Sequence, residues 1–174
     1  MVKKPSWDYK NLKGVHMFIK TGVPSVEMIL QAFPSKDDLK KPKAILECFE
    51  AIPCNPCATS CPFDAILIED GMNQKPTLDI EKCTGCGQCV IACPGLAISV
   101  MQLFDHQAQF KIPYEFLPYP QKGEIWHGLN RNGDVICDAH IKSVSTLKHV
   151  KTALVTVVID QAYMHDFVTI KRYG

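Results

Sequence analysis

The spacing of the cysteines limits the fold and chemistry of this chain more than any other feature. Nine cysteines occur in 174 residues, and eight of them lie between positions 48 and 93. The last four form the run Cys83-x2-Cys86-x2-Cys89-x3-Cys93-Pro94. Three thiolates spaced two residues apart allow one tight loop to reach three corners of an iron–sulfur cube, while the longer gap turns the fourth thiolate to a different site. The run therefore predicts a [4Fe-4S] cluster bound in part by its first three cysteines.

An earlier cysteine group repeats the pattern with one irregularity. It reads Cys48-x5-Cys54-x2-Cys57-x3-Cys61-Pro62, and a shift of 32 residues places its last three cysteines and its proline on those of the later run. Apolar segments that flank the two groups also correspond after this shift. The sequence therefore predicts an internal duplication, in which each copy consists of a strand, a cysteine loop, a short helix and a second strand.

The two copies differ at Ala51, which stands where the later copy has Cys83. The residues alone leave three outcomes open. Cys48 reaches the vacant corner through its longer loop, or the first cluster is of the [3Fe-4S] type, or the first cluster is absent. If Cys48 is not a ligand, it is a small apolar residue at the end of a buried strand. With Cys48 as a ligand each cluster has four cysteines, because the fourth cysteine of each run crosses to the other cluster. The ligand sets are then Cys48, Cys54, Cys57 and Cys93 for the first [4Fe-4S] cluster, and Cys83, Cys86, Cys89 and Cys61 for the second.

Other uses of the cysteines fit the spacing less well. Zinc sites pair two C-x2-C units that lie a dozen or more residues apart, so consecutive C-x2-C-x2-C units would leave thiolates unused. The N-terminal sequence MVKKPSWDYK has no apolar secretion signal, which predicts a cytoplasmic location, where disulfides are rare. Cys137 shares one face of a predicted strand with Ala139 and Ile141, and we expect it to be a core residue.

Composition and short motifs exclude several function classes. Lysine plus arginine total 19 and aspartate plus glutamate total 18, and this balance lacks the basic excess of a nucleic-acid-binding protein. The longest apolar run, at 153–159, is far shorter than the roughly 20 residues of a membrane-spanning helix. No phosphate-binding glycine motif and no nucleophile–base signature occur in the sequence. We therefore expect no nucleic-acid partner, no transmembrane segment, no flavin site and no catalysis by this chain alone.

The chain divides into three predicted regions. Residues 1–42 form an N-terminal arm with five lysines in its first 20 positions and a helix at Ser25–Phe33. Residues 43–101 form the cluster-binding core, and residues 102–174 form a small β-rich region that docks a partner. Four strands are predicted in this last region, at Gln109–Tyr114, Gly123–Gly128, Asp134–Val144 and Thr152–Ile159. A terminal helix is predicted from Asp160 to about Lys171. The expected fold class is α+β, with a duplicated ferredoxin-like core that carries two [4Fe-4S] clusters.

Two segments resemble a known protein family at more positions than the cluster-binding cysteines alone. They are Glu47–Ile66, ECFEAIPCNPCATSCPFDAI, and Lys82–Ile98, KCTGCGQCVIACPGLAI. Together with Gly22-Val-Pro-Ser25 and Leu117-Pro-Tyr-Pro120, they resemble the iron–sulfur subunits of bacterial and archaeal flavin-dependent amine or amino-acid dehydrogenases, of the proline and hydroxyproline dehydrogenase kind. That family carries the same E-C-F-x-x-I-P-C-N-P-C stretch, so the resemblance implies that Cys48 is a ligand. It also implies a hetero-oligomer in which this chain relays electrons from a flavin-dependent dehydrogenase subunit.

Two other functions stay open at the level of sequence. A free-standing ferredoxin diffuses between partners, but such proteins lack long segments around the clusters and are commonly acidic, whereas this chain has a formal charge of +1. A structural adapter would use its clusters only to hold the fold together. The appended segments and the neutral charge favour a fixed electron-transfer subunit, itself non-catalytic, of an oxidoreductase complex.

Overall fold

The computed structural model describes residues 18–69, 71, 73–148 and 150–173. Four of the five lysines of the predicted basic arm precede residue 18 and lie outside this range. The predicted N-terminal helix is confirmed as α1, Val26–Ala32. It begins after Ser25 because the hydroxyl oxygen of that residue accepts a hydrogen bond from a first-turn amide at 3.3 Å. A 3₁₀ turn at Asp38–Lys40 then leads into the cysteine-bearing region.

The cysteine-bearing region runs strand, loop, helix and strand twice in succession. Its elements are β1 at Lys43–Leu46, α2 at Pro56–Thr59, β2 at Ile66–Leu67, β3 at Thr77–Leu78, α3 at Gln88–Ala92 and β4 at Ile98–Phe104. β1 pairs antiparallel with β4, and β2 pairs antiparallel with β3. The first strand of each half therefore pairs with the last strand of the other half. This arrangement encloses a small apolar core that includes Ala65, Val90 and Ile98.

The C-terminal region extends the β1–β4 pair into a seven-stranded antiparallel sheet. Its strands are β5 at Gln107–Tyr114, β6 at Ile125–Leu129, β7 at Val135–Ser145, β8 at Ala153–Asp160 and β9 at Thr169–Lys171. The strand order is β1-β4-β5-β8-β7-β6-β9, so the sheet is continuous across residues 101 and 102. All four predicted C-terminal strands are confirmed, with ends displaced by at most two residues.

Alternating burial along the strands gives this sheet one apolar face, which covers the larger core. In β5, Phe110 and Ile112 are buried while the residues next to them are more exposed, as the two-residue period of a strand requires. Leu39 from the segment before β1 packs into the same core as Phe167 and Ile170 from the end of the chain. The larger core therefore combines residues that precede β1 with residues from the last part of the chain.

The predicted terminal helix from Asp160 to about Lys171 is wrong. Asp160 does cap a turn, since its carboxylate accepts a hydrogen bond from the Ala162 amide at 2.7 Å. The helical segment nevertheless ends after one 3₁₀ turn, Gln161–Tyr163. The residues that follow form β9, which pairs with β6 and becomes the edge strand of the sheet. β-Branched residues at 168–170 favour a strand over a helix, and an open sheet edge supplied the hydrogen-bond partners.

Candidate metal centres

Two clefts lie beside the cysteine loops, and each is lined by four cysteines. The first cleft, with its solvent-open mouth included, has a volume of about 360 Å³ and contains Cys48, Cys54, Cys57 and Cys93. The second, measured in the same way, has about 310 Å³ and contains Cys61, Cys83, Cys86 and Cys89. The structure thus brings all eight cysteines of the two runs into two groups, and the fourth cysteine of each run lies in the cleft of the other. These are the groupings of the predicted ligand sets, whose role in binding stays a prediction.

Electrostatic coupling among the thiols reflects the same grouping. Burial raises the pKa of the Cys48 thiol, and the charges of Cys93 and Cys54 raise it further. Burial also raises the pKa of the Cys57 thiol, to which the charge of Cys93 adds. Cysteines gathered this closely repel one another as thiolates, and a bound cationic centre removes that repulsion.

The four cysteines of the second cleft differ in their exposure to solvent. Cys83 and Cys89 are buried, Cys61 is half-buried and Cys86 is exposed. Burial raises the pKa of Cys89 to about 12, with further contributions from the charges of Cys83, Cys86 and Cys61. The thiol of Cys89 therefore gives up its proton readily only when a metal centre takes the proton's place.

Two glycines shape the second loop, the segment from Cys83 to Cys89 that carries three cysteines of the second cleft. Gly85 has a φ of 66° and Gly87 a φ of 94°, values in the left-handed region that glycine adopts without strain. A Cβ atom on Gly85 would lie 2.5 Å from the carbonyl oxygen of Pro42, and one on Gly87 would lie 2.9 Å from a methyl group of Leu154. The loop is consequently packed against the segment before β1 on one side and against β8 on the other.

Backbone amides point at three of the cysteine sulfurs. The amide of Ala65 donates to Cys61 Sγ at 3.3 Å, and the amide of Ala97 donates to Cys93 Sγ at 3.4 Å. These two contacts are 32 residues apart and follow the fourth cysteine of each run. Ala44 in β1 donates to the Sγ of Cys83 at 3.4 Å. Such donors stabilise the thiolate form and tune the redox properties of a thiolate-bound cluster.

Three charged residues that the sequence analysis missed hold the loops in place. The ammonium group of Lys43 donates to the carbonyl oxygens of Ile80 at 2.6 Å and Cys83 at 2.8 Å. Lys111 in β5 donates to the Gly85 carbonyl oxygen at 2.7 Å. Arg131, in the turn after β6, forms a largely buried ion pair with Glu47, which precedes Cys48. No local sequence signal marks these residues, because their partners are 26 to 84 positions away.

The donor chemistry of the clefts fits iron–sulfur clusters. Among the described residues that line them, the metal-binding side chains are cysteines alone, and the others are mainly apolar. No three cysteine, histidine, aspartate or glutamate side chains in the described part of the chain are close enough to hold one metal ion. Each set of thiols instead surrounds a wider space, and thiolates are the ligands that iron–sulfur clusters use.

Comparison with known proteins identifies the class of domain. Residues 51–97 match the family model of the 4Fe-4S dicluster domain. The matched range holds seven of the eight cysteines, and Cys48 lies just outside it. The chain therefore contains a 4Fe-4S dicluster ferredoxin domain, whose cofactors are two [4Fe-4S] clusters. This domain gives the chain an electron-transfer role.

Curated relatives include ferredoxins and subunits of oxidoreductases. The chain is 62% identical over 39 residues to one component of the Na⁺-translocating ferredoxin:NAD⁺ oxidoreductase complex of Acetobacterium woodii, a match that covers 22% of this chain and 11% of the relative. It is 44% identical over 52 residues to an uncharacterized ferredoxin of Methanocaldococcus jannaschii, a match that covers 30% of this chain and 32% of the relative. It is 31% identical over 67 residues to the polyferredoxin-like subunit of an aliphatic sulfonate oxidoreductase of Pyrococcus furiosus. This match covers 38% of this chain and 34% of the relative.

These similarities span about a third or less of each of the three relatives. No solved structure gives a significant match to the chain. In the described part of the chain, no helix has the length and apolar character needed to cross a bilayer.

Proposed function

We propose that this chain is the electron-transfer subunit of an oxidoreductase complex and relays single electrons from a flavoprotein dehydrogenase to an acceptor. The observation that carries the proposal is the pair of four-cysteine clefts built side by side in one small core. We assign Cys48, Cys54, Cys57 and Cys93 to the first cluster, and Cys83, Cys86, Cys89 and Cys61 to the second. The repeated element order and the repeated turns after Cys61 and Cys93 support descent from a duplicated half.

A bound [4Fe-4S] cluster takes up and gives back one electron without a change of ligands. The residues of this chain prepare the two sites for that chemistry. Apolar side chains such as Ile98 in the first cleft and Val100 in the second keep water from much of the lining. The amides of Ala65 and Ala97 stabilise charge on the sulfurs.

The partner in this proposal is a flavin-dependent dehydrogenase subunit that oxidises an amine or amino acid of the proline kind. Such an oxidation releases two electrons and protons to the flavin. The reduced flavin then passes its electrons one at a time to this chain, its protons go to solvent, and a separate acceptor is reduced. Support comes from the resemblance at Glu47–Ile66 and Lys82–Ile98, and from relatives whose names describe them as subunits of oxidoreductase complexes. The cytoplasmic location stays a prediction from the sequence.

The relay is tested in the purified complex with variants of this chain that lose one cluster. Cys54→Ala removes a ligand of the first cluster and Cys89→Ala a ligand of the second, while Cys137→Ala is a control outside both clefts. Bleaching of the partner's flavin by substrate should persist in all variants, but turnover with the physiological acceptor should be lost in the first two.

Two results would overturn the relay. Normal turnover in an intact complex that lacks a cluster would make the chain a structural adapter. A native chain that purifies alone and exchanges electrons with several flavoproteins at similar rates would be a free-standing ferredoxin. Size-exclusion chromatography establishes in each case that the complex has assembled.

A further inference from the structure

We propose that Lys43 and Lys111 give the second cluster, in the Cys61/Cys83/Cys86/Cys89 cleft, a higher reduction potential than the first. Reduction adds one negative charge to a cluster, so a fixed positive charge nearby favours the reduced form. The proposal concerns the order of the two potentials. It rests on the proposed ligand sets, and only its consequence for the direction of electron flow rests on the proposed relay.

Both lysines are held against the loop that carries three of the second-site cysteines. Lys43 is 9% exposed, and its ammonium group bonds to the carbonyl oxygens of Ile80 and Cys83 at 2.6 and 2.8 Å. Lys111 bonds to the carbonyl oxygen of Gly85 at 2.7 Å. These bonds fix the two charges beside the loop, and burial weakens the solvent screening that makes surface charges ineffective.

The first cleft has a weaker positive environment. The shift of 32 residues places Lys43 on Lys75, and the charge of Lys75 does act on Cys48. The charge of Glu50 acts on the same thiol in the opposite direction. Lys111 lies on β5, beyond the repeated unit, and its ammonium group bonds to a backbone carbonyl oxygen. The cation that the appended sheet brings toward the first cleft, Arg131, is instead offset by its ion pair with the Glu47 carboxylate.

An acidic residue near the second loop is already neutralised. Asp79, which leads into this loop, pairs with the ammonium group of Lys82 at 3.4 Å. Its carboxylate also accepts hydrogen bonds from the amides of Glu81 and Lys82. Asp79 therefore offsets little of the positive charge that Lys43 and Lys111 bring to the second cleft.

A difference between the two potentials would give electron flow through the relay a direction. Electrons that enter at the first cluster would collect at the second, whose ligand Cys86 is the exposed one of the eight. The donor flavoprotein then faces the first cleft, and the acceptor meets the chain near Cys86.

The test is an anaerobic redox titration, monitored by EPR, of the native full-length chain and of its Lys111→Gln variant. Glutamine keeps a hydrogen-bond donor for Gly85 and removes the charge. The ratio of reduced to oxidised second cluster at a fixed solution potential should fall about tenfold, a shift of about 59 mV for a one-electron couple. The reduction potential of the first cluster should not change. Cys86→Ser, which alters one ligand of the second site, identifies the second-cluster signal.

Two controls separate charge from structure. Lys111→Arg keeps the charge and should retain the native potential, and Lys142→Gln removes an exposed charge on β7 and should shift neither cluster. The proposal is overturned if the second cluster of the native chain has a potential no higher than that of the first, or if Lys111→Gln leaves the second potential unchanged. It is also overturned if Lys111→Gln shifts both potentials equally, or if Lys111→Arg shifts the second potential as far as Lys111→Gln does. The titration uses chemical reductant and no partner, so it can fail while cluster-dependent turnover of the complex persists, and it can succeed while the relay fails.

Discussion

Arg131 and Glu47 form an ion pair across 84 residues of sequence, and this pair anchors the residue that precedes Cys48. Glu47 follows β1 at one edge of the seven-stranded sheet, whereas Arg131 follows β6 near the other edge. The sheet must curve for the two side chains to meet. The geometry of the first cleft therefore depends on the C-terminal region, even though that region supplies none of its cysteines.

Replacing Arg131 with alanine should lower the free energy of unfolding by about 1–3 kcal/mol, because it leaves the mostly buried Glu47 carboxylate without its partner. The Cys48 corner should also loosen, so that iron is released from the first cluster sooner. Urea denaturation and anaerobic iron release to a chelator measure the two effects. Arg172→Ala, at an exposed position after β9, is the control and should change neither. Equal behaviour of the two variants would contradict this role for the ion pair.

Anaerobically purified protein should contain about eight iron and eight sulfide per chain, because a dicluster domain holds two [4Fe-4S] clusters. Metal analysis, sulfide analysis and the visible absorption of the clusters provide the measurement. An iron content near four, or zinc in place of iron, would contradict two such clusters.

Cys48→Ala should lose or convert the first cluster and leave the second intact. Cys61→Ala should damage the second cluster, although Cys61 belongs to the first cysteine run, because its thiol lies in the second cleft. EPR and iron analysis of the two variants distinguish the clusters. Full iron and an unchanged spectrum in Cys48→Ala would show that this cysteine only packs against its neighbours.

Gly85→Ala should cost more stability than Gly133→Ala, although both glycines have a positive φ. Both substitutions carry the left-handed strain of about 1–2 kcal/mol. At Gly133 the added methyl group meets nothing within 4 Å, whereas at Gly85 it would lie 2.5 Å from the Pro42 carbonyl oxygen. Urea denaturation should therefore separate the variants, and Gly85→Ala should also lose the second cluster. Equal stability of the two would mean that the Gly85 loop moves away freely.

The thiol of Cys137 should react slowly with iodoacetamide at pH 8. Burial raises its pKa from 9.0 to about 11, so its thiolate fraction should be about a hundredfold lower than that of an unperturbed thiol. Because the folded pKa is the higher one, the associated stability is present below pH 9 and is lost as the pH rises toward 11. The alkylation rate of the cluster-loaded chain, compared with that of Cys137→Ser, provides the measurement. A rate like that of a free thiol would place Cys137 in solvent.

Local patterns in the sequence were sufficient to predict the cluster of the later cysteine run and most strands. A cysteine spacing of two residues specifies which thiolates one loop presents, and that geometry involves only neighbours in the chain. Strands such as β5 and β8 were predictable because alternating burial is itself a local pattern. The prediction of a helix after Asp160 failed because the capping signal is real but short, and the free edge of β6 then paired with Thr169–Lys171.

The sequence by itself determined that the later cysteine run can hold an iron–sulfur cluster, because its ligand spacing and its glycines are local features. Only the tertiary structure brought Cys48 into the first cleft and decided which charges stand beside the thiolates. Lys111 reaches Gly85, and Arg131 reaches Glu47, through the register and curvature of a seven-stranded sheet. Contacts over such separations depend on how distant strands pair, and no short sequence pattern encodes that pairing.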